Sequence, residues 1–214
     1  MLGPHQPVGQ APLASIYDLK SAFQRRLRPT VQWLALEGVT ANQVTLAALL
    51  LSLAYGLLVA ALAPARWPLV LMPLVLFARM ALNAIDGMLA REHGMASRLG
   101  ALLNELGDVV ADAALYLPLA LLPGVPGAAV VLFVVLAAAS ELAGVLGATI
   151  GAGRRYDGPM GKSDRAFAIG LLALLLGLGV PGGSWLALVL WVLVALVALT
   201  VVHRCQKALA EVGE

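Results

Sequence analysis

Asn83 and Asp86 stand three residues apart, and Asn104, Asp108 and Asp112 stand four apart, inside runs otherwise built largely of Leu, Ala and Val. Residues at those spacings share one face of a helix. Ionisable groups in apolar runs are costly, and by default they mark a functional site or a buried pair. Oxygen donors without His or Cys suit a hard cation such as Mg²⁺ or Mn²⁺, which commonly works on phosphates. The candidate ligands are Asn83, Asp86, Asn104 and Asp108. Gly87 and Gly100 sit beside them, where a missing side chain lets a backbone or a ligand approach closely.

The elements that carry these groups belong in lipid. Of 214 residues, 61% are hydrophobic and 12% charged, with a mean hydropathy of +0.90, a balance foreign to a soluble domain. Apolar runs long enough to cross a hydrocarbon core of about 30 Å fall at Asn42–Ala63, Trp67–Leu89, Leu99–Leu122, Gly127–Ile150, Arg165–Val180 and Trp185–Val202. Strand alternation is missing, and the breakers Ala63-Pro64, Pro123-Gly124, Pro126-Gly127 and Pro181-Gly182-Gly183 fall between the runs, so helices satisfy the backbone. The sequence predicts an all-α polytopic membrane protein of six transmembrane helices over residues 38–207, with a short tail over 208–214.

Lys20, Arg25, Arg26, Arg28, Arg91, Arg98, Arg154, Arg155, Lys162, Arg165, Arg204 and Lys207 fall on one side of this layout, and Arg66 on the other. Positive residues are retained in the cytoplasm, so both termini are expected there. The second and third runs are antiparallel around the Arg91–Arg98 loop, and a rise of about 1.5 Å per residue aligns them by depth. Asp86 levels with Asn104, Asn83 with Asp108, and Arg79 with Asp112, the last two as a structural ion pair.

Residues 1–14 are rich in Pro, Gly and Gln and read as a disordered lead. Residues 15–37 place Ile16, Leu19, Phe23 and Leu27 opposite Lys20, Gln24, Arg25 and Arg28. Such an amphipathic helix lies in the headgroup layer or packs on the protein. Cys205 is alone, which excludes a disulfide or a zinc framework. Arg154, Arg155, Lys162 and Arg165 crowd around the Gly158-Pro159 turn. Converging there beside Asp108, they would bind a phosphate monoester on the acceptor.

The stretch DGMLAREHGMASRLGALLNELGD resembles the signature of the CDP-alcohol phosphotransferase family, Asp-x2-Asp-Gly-x2-Ala-Arg-x8-Gly-x3-Asp-x3-Asp. Asp86, Gly87, Ala90, Arg91, Gly100 and Asp108 match, whereas Asn83 and Asn104 stand at the first and third aspartates. TANQVT, Thr40 to Thr45, resembles the family's Pro-Asn-x-x-Thr segment with Ala41 for Pro, and GPMGKSDRA resembles its basic acceptor segment.

The resemblance implies transfer of a phosphatidyl group from CDP-diacylglycerol to an alcohol, releasing CMP, in a homodimer at the cytoplasmic face of the inner membrane. It implies Asp108 as general base, Asp86 as metal ligand, and Asn42, Thr45, Gly87, Ala90, Arg91 and Gly100 as the CDP site. Partners are CDP-diacylglycerol, the acceptor and membrane lipid, with no nucleic acid. The basic cluster favours a phosphorylated polyol, glycerol 3-phosphate ahead of inositol phosphate. The two Asn residues halve the charge of the aspartate pattern, so a degenerate member that binds CDP-lipid or a partner without turnover stays open beside the enzyme.

Overall fold

The structure, a computed structural model, describes residues 16–213, with side chains from residue 22 onward. The lead expected over residues 1–14 lies outside them. The described residues form seven α-helices and no strand: α1 (Ile16–Leu36), α2 (Ala41–Ala61), α3 (Trp67–Glu92), α4 (Arg98–Tyr116), α5 (Gly127–Leu146), α6 (Lys162–Gly177) and α7 (Ser184–Val212). Short 3-10 turns continue α4 over Leu117–Leu121 and α5 over Gly147–Ile150.

Four of these helical segments are long and apolar enough to cross a membrane: Ala41–Ala61, Trp67–Glu92, Gly127–Ile150 and Ser184–Val212. The six expected from the apolar runs are thereby reduced to four on length and composition. α4 carries Arg98, Glu105, Asp108 and Asp112, and α6 has 16 residues, the first four including Lys162, Asp164 and Arg165. Both polar helices pack on longer partners, α4 against α2 and α6 against α3, while α5 pairs with α7.

A core of Met72, Leu115, Tyr116, Phe133, Ile169 and Leu190 fills the bundle. Its packing fixes how each helix is rotated and so which polar residues face inward. At Gly56 a Cβ would lie 2.0 Å from the Ala114 carbonyl oxygen, so α2 and α4 meet backbone to backbone. α1 packs on the protein: Phe23 meets Phe77 edge-on at 5.8 Å, and Leu27 and Val31 join Val44, Ile85 and Leu89 in a second apolar cluster. Arg28 reaches Glu92 at 3.0 Å on the surface. Trp33 and Leu36 stay exposed.

Candidate active site

Two helix starts frame a cavity of about 300 Å³ at one end of the bundle. Thr40 caps α2 with a capping box: its hydroxyl accepts from Gln43 N at 3.3 Å, and the Gln43 side chain accepts from Thr40 N at 2.8 Å. Ser97 caps α4 by accepting from Gly100 N at 2.9 Å. Helix N-termini carry partial positive charge and suit anions. Ala41, Asn42, Thr45, Ala90, Arg91 and Gly100 line the cavity, together with Asn83, Asp86, Gly87 and Asn104. All six residues expected to bind CDP are therefore brought together.

Asp86 is buried, and its carboxylate accepts from the Thr45 hydroxyl at 2.8 Å. That bond ties α3 to α2 at the cavity wall. A Cβ on Gly87 would sit 3.1 Å from an Arg91 guanidinium nitrogen, and one on Gly100 2.5 Å from the Asn42 amide oxygen. Both glycines let polar groups reach across the helix surface.

Asp108 lies beyond Asn83 and is not part of the cavity wall. Three donors converge on its Oδ1: Asn83 Nδ2 at 3.1 Å, Arg79 at 3.4 Å and the Lys162 ammonium. Arg79 also donates to the Asp108 carbonyl at 3.1 Å.

Arg79 and Asp112 are paired at 2.6 Å, both fully inside the bundle. The pair is not isolated. Arg165 donates twice to Asp112, at 3.0 and 3.2 Å, and reaches Glu141 at 2.8 Å and the Ser140 hydroxyl at 3.1 Å. Arg204 adds a bond to the Ser140 carbonyl and lies 3.4 Å from Glu141.

This network corrects the expected acceptor site. Of the four cations, the fold brings Lys162 to Asp108. Arg165 is 1% exposed and committed to Asp112 and Glu141, so its charge is spent inside the bundle. Arg155 turns away to Asp157 and Glu211, and holds the Asp157 carboxyl below its ordinary value. Arg154 bridges Glu105 and Glu141 and lies 4.9 Å over the Tyr156 ring. Glu141 and Ser140 are not among the expected site residues, and Arg204 is expected only as a cytoplasmic-side cation. The signal for Glu141 was there, since a carboxylate in an apolar run needs a partner.

No group of three or more His, Cys, Asp or Glu able to hold a metal forms among the described residues. Asp86, Asn83 and Asn104 line a polar cavity and fit one hard divalent ion that shares its charge with a diphosphate. Asp108, already met by an ammonium and an amide donor, does not fit a second.

The fold and the site define an all-α membrane protein with a polar, ligand-sized cavity at one end of its bundle. More narrowly, the chain belongs to the CDP-alcohol phosphatidyltransferase family, which matches residues 38–203. It is 47% identical over 196 residues to inner membrane protein YnbA of Escherichia coli (strain K12), a match covering 91% of this chain and 96% of that protein. Its fold is similar to Mycobacterium tuberculosis phosphatidylinositol phosphate synthase in complex with manganese and citrate, with TM-score 0.72 and 21% identity over 86% of this chain and 90% of that one. The same synthase with CDP-DAG bound gives TM-score 0.67 and 21% identity over 88% and 96%.

Proposed function

We propose that the protein is an active phosphatidyltransferase of phospholipid synthesis, moving the phosphatidyl group of CDP-diacylglycerol to an acceptor alcohol and releasing CMP. The observation that carries this reading is Asp108, an inward carboxylate whose Oδ1 is fixed by donors from Asn83, Arg79 and Lys162 beside the polar cavity. Oriented in this way, it presents Oδ2 to an acceptor hydroxyl as general base. The hydroxyl proton passes to Asp108 as the acceptor oxygen bonds to the phosphorus bearing diacylglycerol. The bond from that phosphorus to the CMP oxygen breaks.

Arg91 and the starts of α2 and α4 hold the diphosphate by charge and backbone N–H groups. A bound Mg²⁺ or Mn²⁺, held by Asp86 with the amide oxygens of Asn83 and Asn104, would neutralise the diphosphate and the leaving CMP. Lys162 and Arg154, paired with carboxylates but each still about a quarter exposed, are the cations we assign to an acceptor phosphate, with glycerol 3-phosphate as the favoured acceptor. In this reading α4 and α6 complete six crossings, both termini and the site face the cytoplasm at the inner membrane, and two copies form a homodimer.

The test is CMP release from CDP-diacylglycerol with a panel of phosphorylated and unphosphorylated acceptors, each with Mg²⁺ or Mn²⁺. Release strongest with glycerol 3-phosphate is expected. CDP-lipid binding without release from any acceptor would instead support the non-catalytic reading, which the absence of a three-acid cluster among the described residues favours.

A further inference from the structure

Asn83 and Lys162 act on the same oxygen of Asp108, and both present hydrogens to it. The orientation of the Asn83 amide follows from its neighbour: turned over, it would press its oxygen against a carboxylate oxygen at 3.1 Å. An aspartate at position 83 could donate nothing and would add a like charge at that distance. It would call for a cation between the two carboxylates. Here the chain itself supplies one, because Lys162 opens α6 one turn before Arg165 and therefore meets α4 at Asp108 while Arg165 meets Asp112.

We propose that the Lys162 ammonium, with the Asn83 amide, takes the place of a divalent ion at Asp108, so that the site holds one metal ion at the Asp86–Asn104 level. Two further observations support this. The residues lining the cavity include Asp86, Asn83 and Asn104 but not Asp108, so an ion seated with a diphosphate meets the first three. Charge balance agrees. Asp86 and Asp108 against Lys162 leave one negative charge, and one divalent ion, a doubly charged diphosphate and Arg91 bring the whole near neutrality. A second divalent ion would leave it strongly positive and force two cations together at Asp108.

The inference rests on the phosphatidyltransferase reading only for the choice of nucleotide. It is tested by counting Mn²⁺ per chain, by electron paramagnetic resonance, on the detergent-solubilised full chain with saturating CDP. The wild type and Asn83→Asp/Lys162→Gln are compared. One ion in the wild type and two in the variant are expected. Two in the wild type, or the same count in a folded variant, would overturn the proposal. If the double variant does not fold, Lys162→Gln alone decides, with Mn²⁺ binding at least about tenfold tighter expected and unchanged binding overturning it. Failure of CDP to bind any form would sink the proposed function. The difference in Mn²⁺ count between wild type and variant, taken without nucleotide, would still decide this proposal: an extra ion in the variant supports it, and equal counts overturn it.

Discussion

Replacing Asp112 by Asn strikes a carboxylate that two buried guanidiniums share, and it should destabilise the protein more than removing the Arg79 guanidinium. Asp112 accepts one bond from Arg79 at 2.6 Å and two from Arg165 at 3.0 and 3.2 Å. In Asp112→Asn one oxygen can still serve one arginine, but the new NH₂ faces the other as donor against donor. Removing one partner of a buried ion pair costs about 3–5 kcal/mol, chiefly because the remaining charge is stranded. Arg79→Met differs, since Asp112 keeps both bonds from Arg165. Its cost is set mainly by the 2.6 Å bond to Asp112, with the longer contacts to Asp108 at 3.1 and 3.4 Å adding less, and should be about 1.5–3 kcal/mol.

Reversible unfolding in mixed micelles should therefore rank Asp112→Asn below Arg79→Met by about 1.5–2 kcal/mol, the difference between the ends of those two ranges. The shared carboxylate also changes what a double replacement does. A pair that was isolated would be rescued by Arg79→Met with Asp112→Leu, but here that combination also takes both Asp112 bonds from Arg165 and leaves it only Glu141 and Ser140. No rescue is expected. Equal damage from the two single variants, or recovery in the double one, would refute the sharing of Asp112.

Asp108→Asn should lower CMP release by about 10²–10⁴-fold, the usual worth of a general base, while an unfolding midpoint close to wild type shows that the fold survives. Gly56→Val should force α2 from Ala114, costing about 1–3 kcal/mol or more by overpacking; an unchanged midpoint would rule out that close approach. With the exposed Cys205 replaced by Ser, a cysteine at Gly124 should label from the outside of oriented membranes. Labelling from the cytoplasmic side alone would invert the topology. Arg154→Ala should raise the acceptor KM, whereas Arg155→Ala, which removes a surface pair with Glu211, should leave it near the wild-type value; equal KM for both would remove Arg154 from the acceptor site.

Much of the candidate site could be read from spacing alone. α3 and α4 are consecutive and antiparallel around a short loop, so a constant rise per residue levels Asn83 with Asp108 and Arg79 with Asp112. Both contacts occur, at 3.1 and 2.6 Å. Such local geometry depends on nothing beyond the two helices and the loop that joins them. Hydropathy likewise determined that the chain is helical and belongs in a membrane, although by length and composition only four of the described helices qualify as spans, with α4 set apart by its polar residues and α6 by its short length.

What local spacing could not decide was the rotation of α5, α6 and α7 about their own axes. Lys162 and Arg165 lie one turn apart on α6, as Asp108 and Asp112 do on α4, and nothing in sequence order says that these two faces meet. Burial of Phe133, Ile169 and Leu190 in the common core turns the helices until they do. That rotation sends Arg165 into the bundle to Asp112 and Glu141 and leaves Lys162 at Asp108. A cluster of four cations in the chain thus becomes one cation at Asp108 and one buried strut, because long-range packing, not proximity in sequence, chooses each charge's partner.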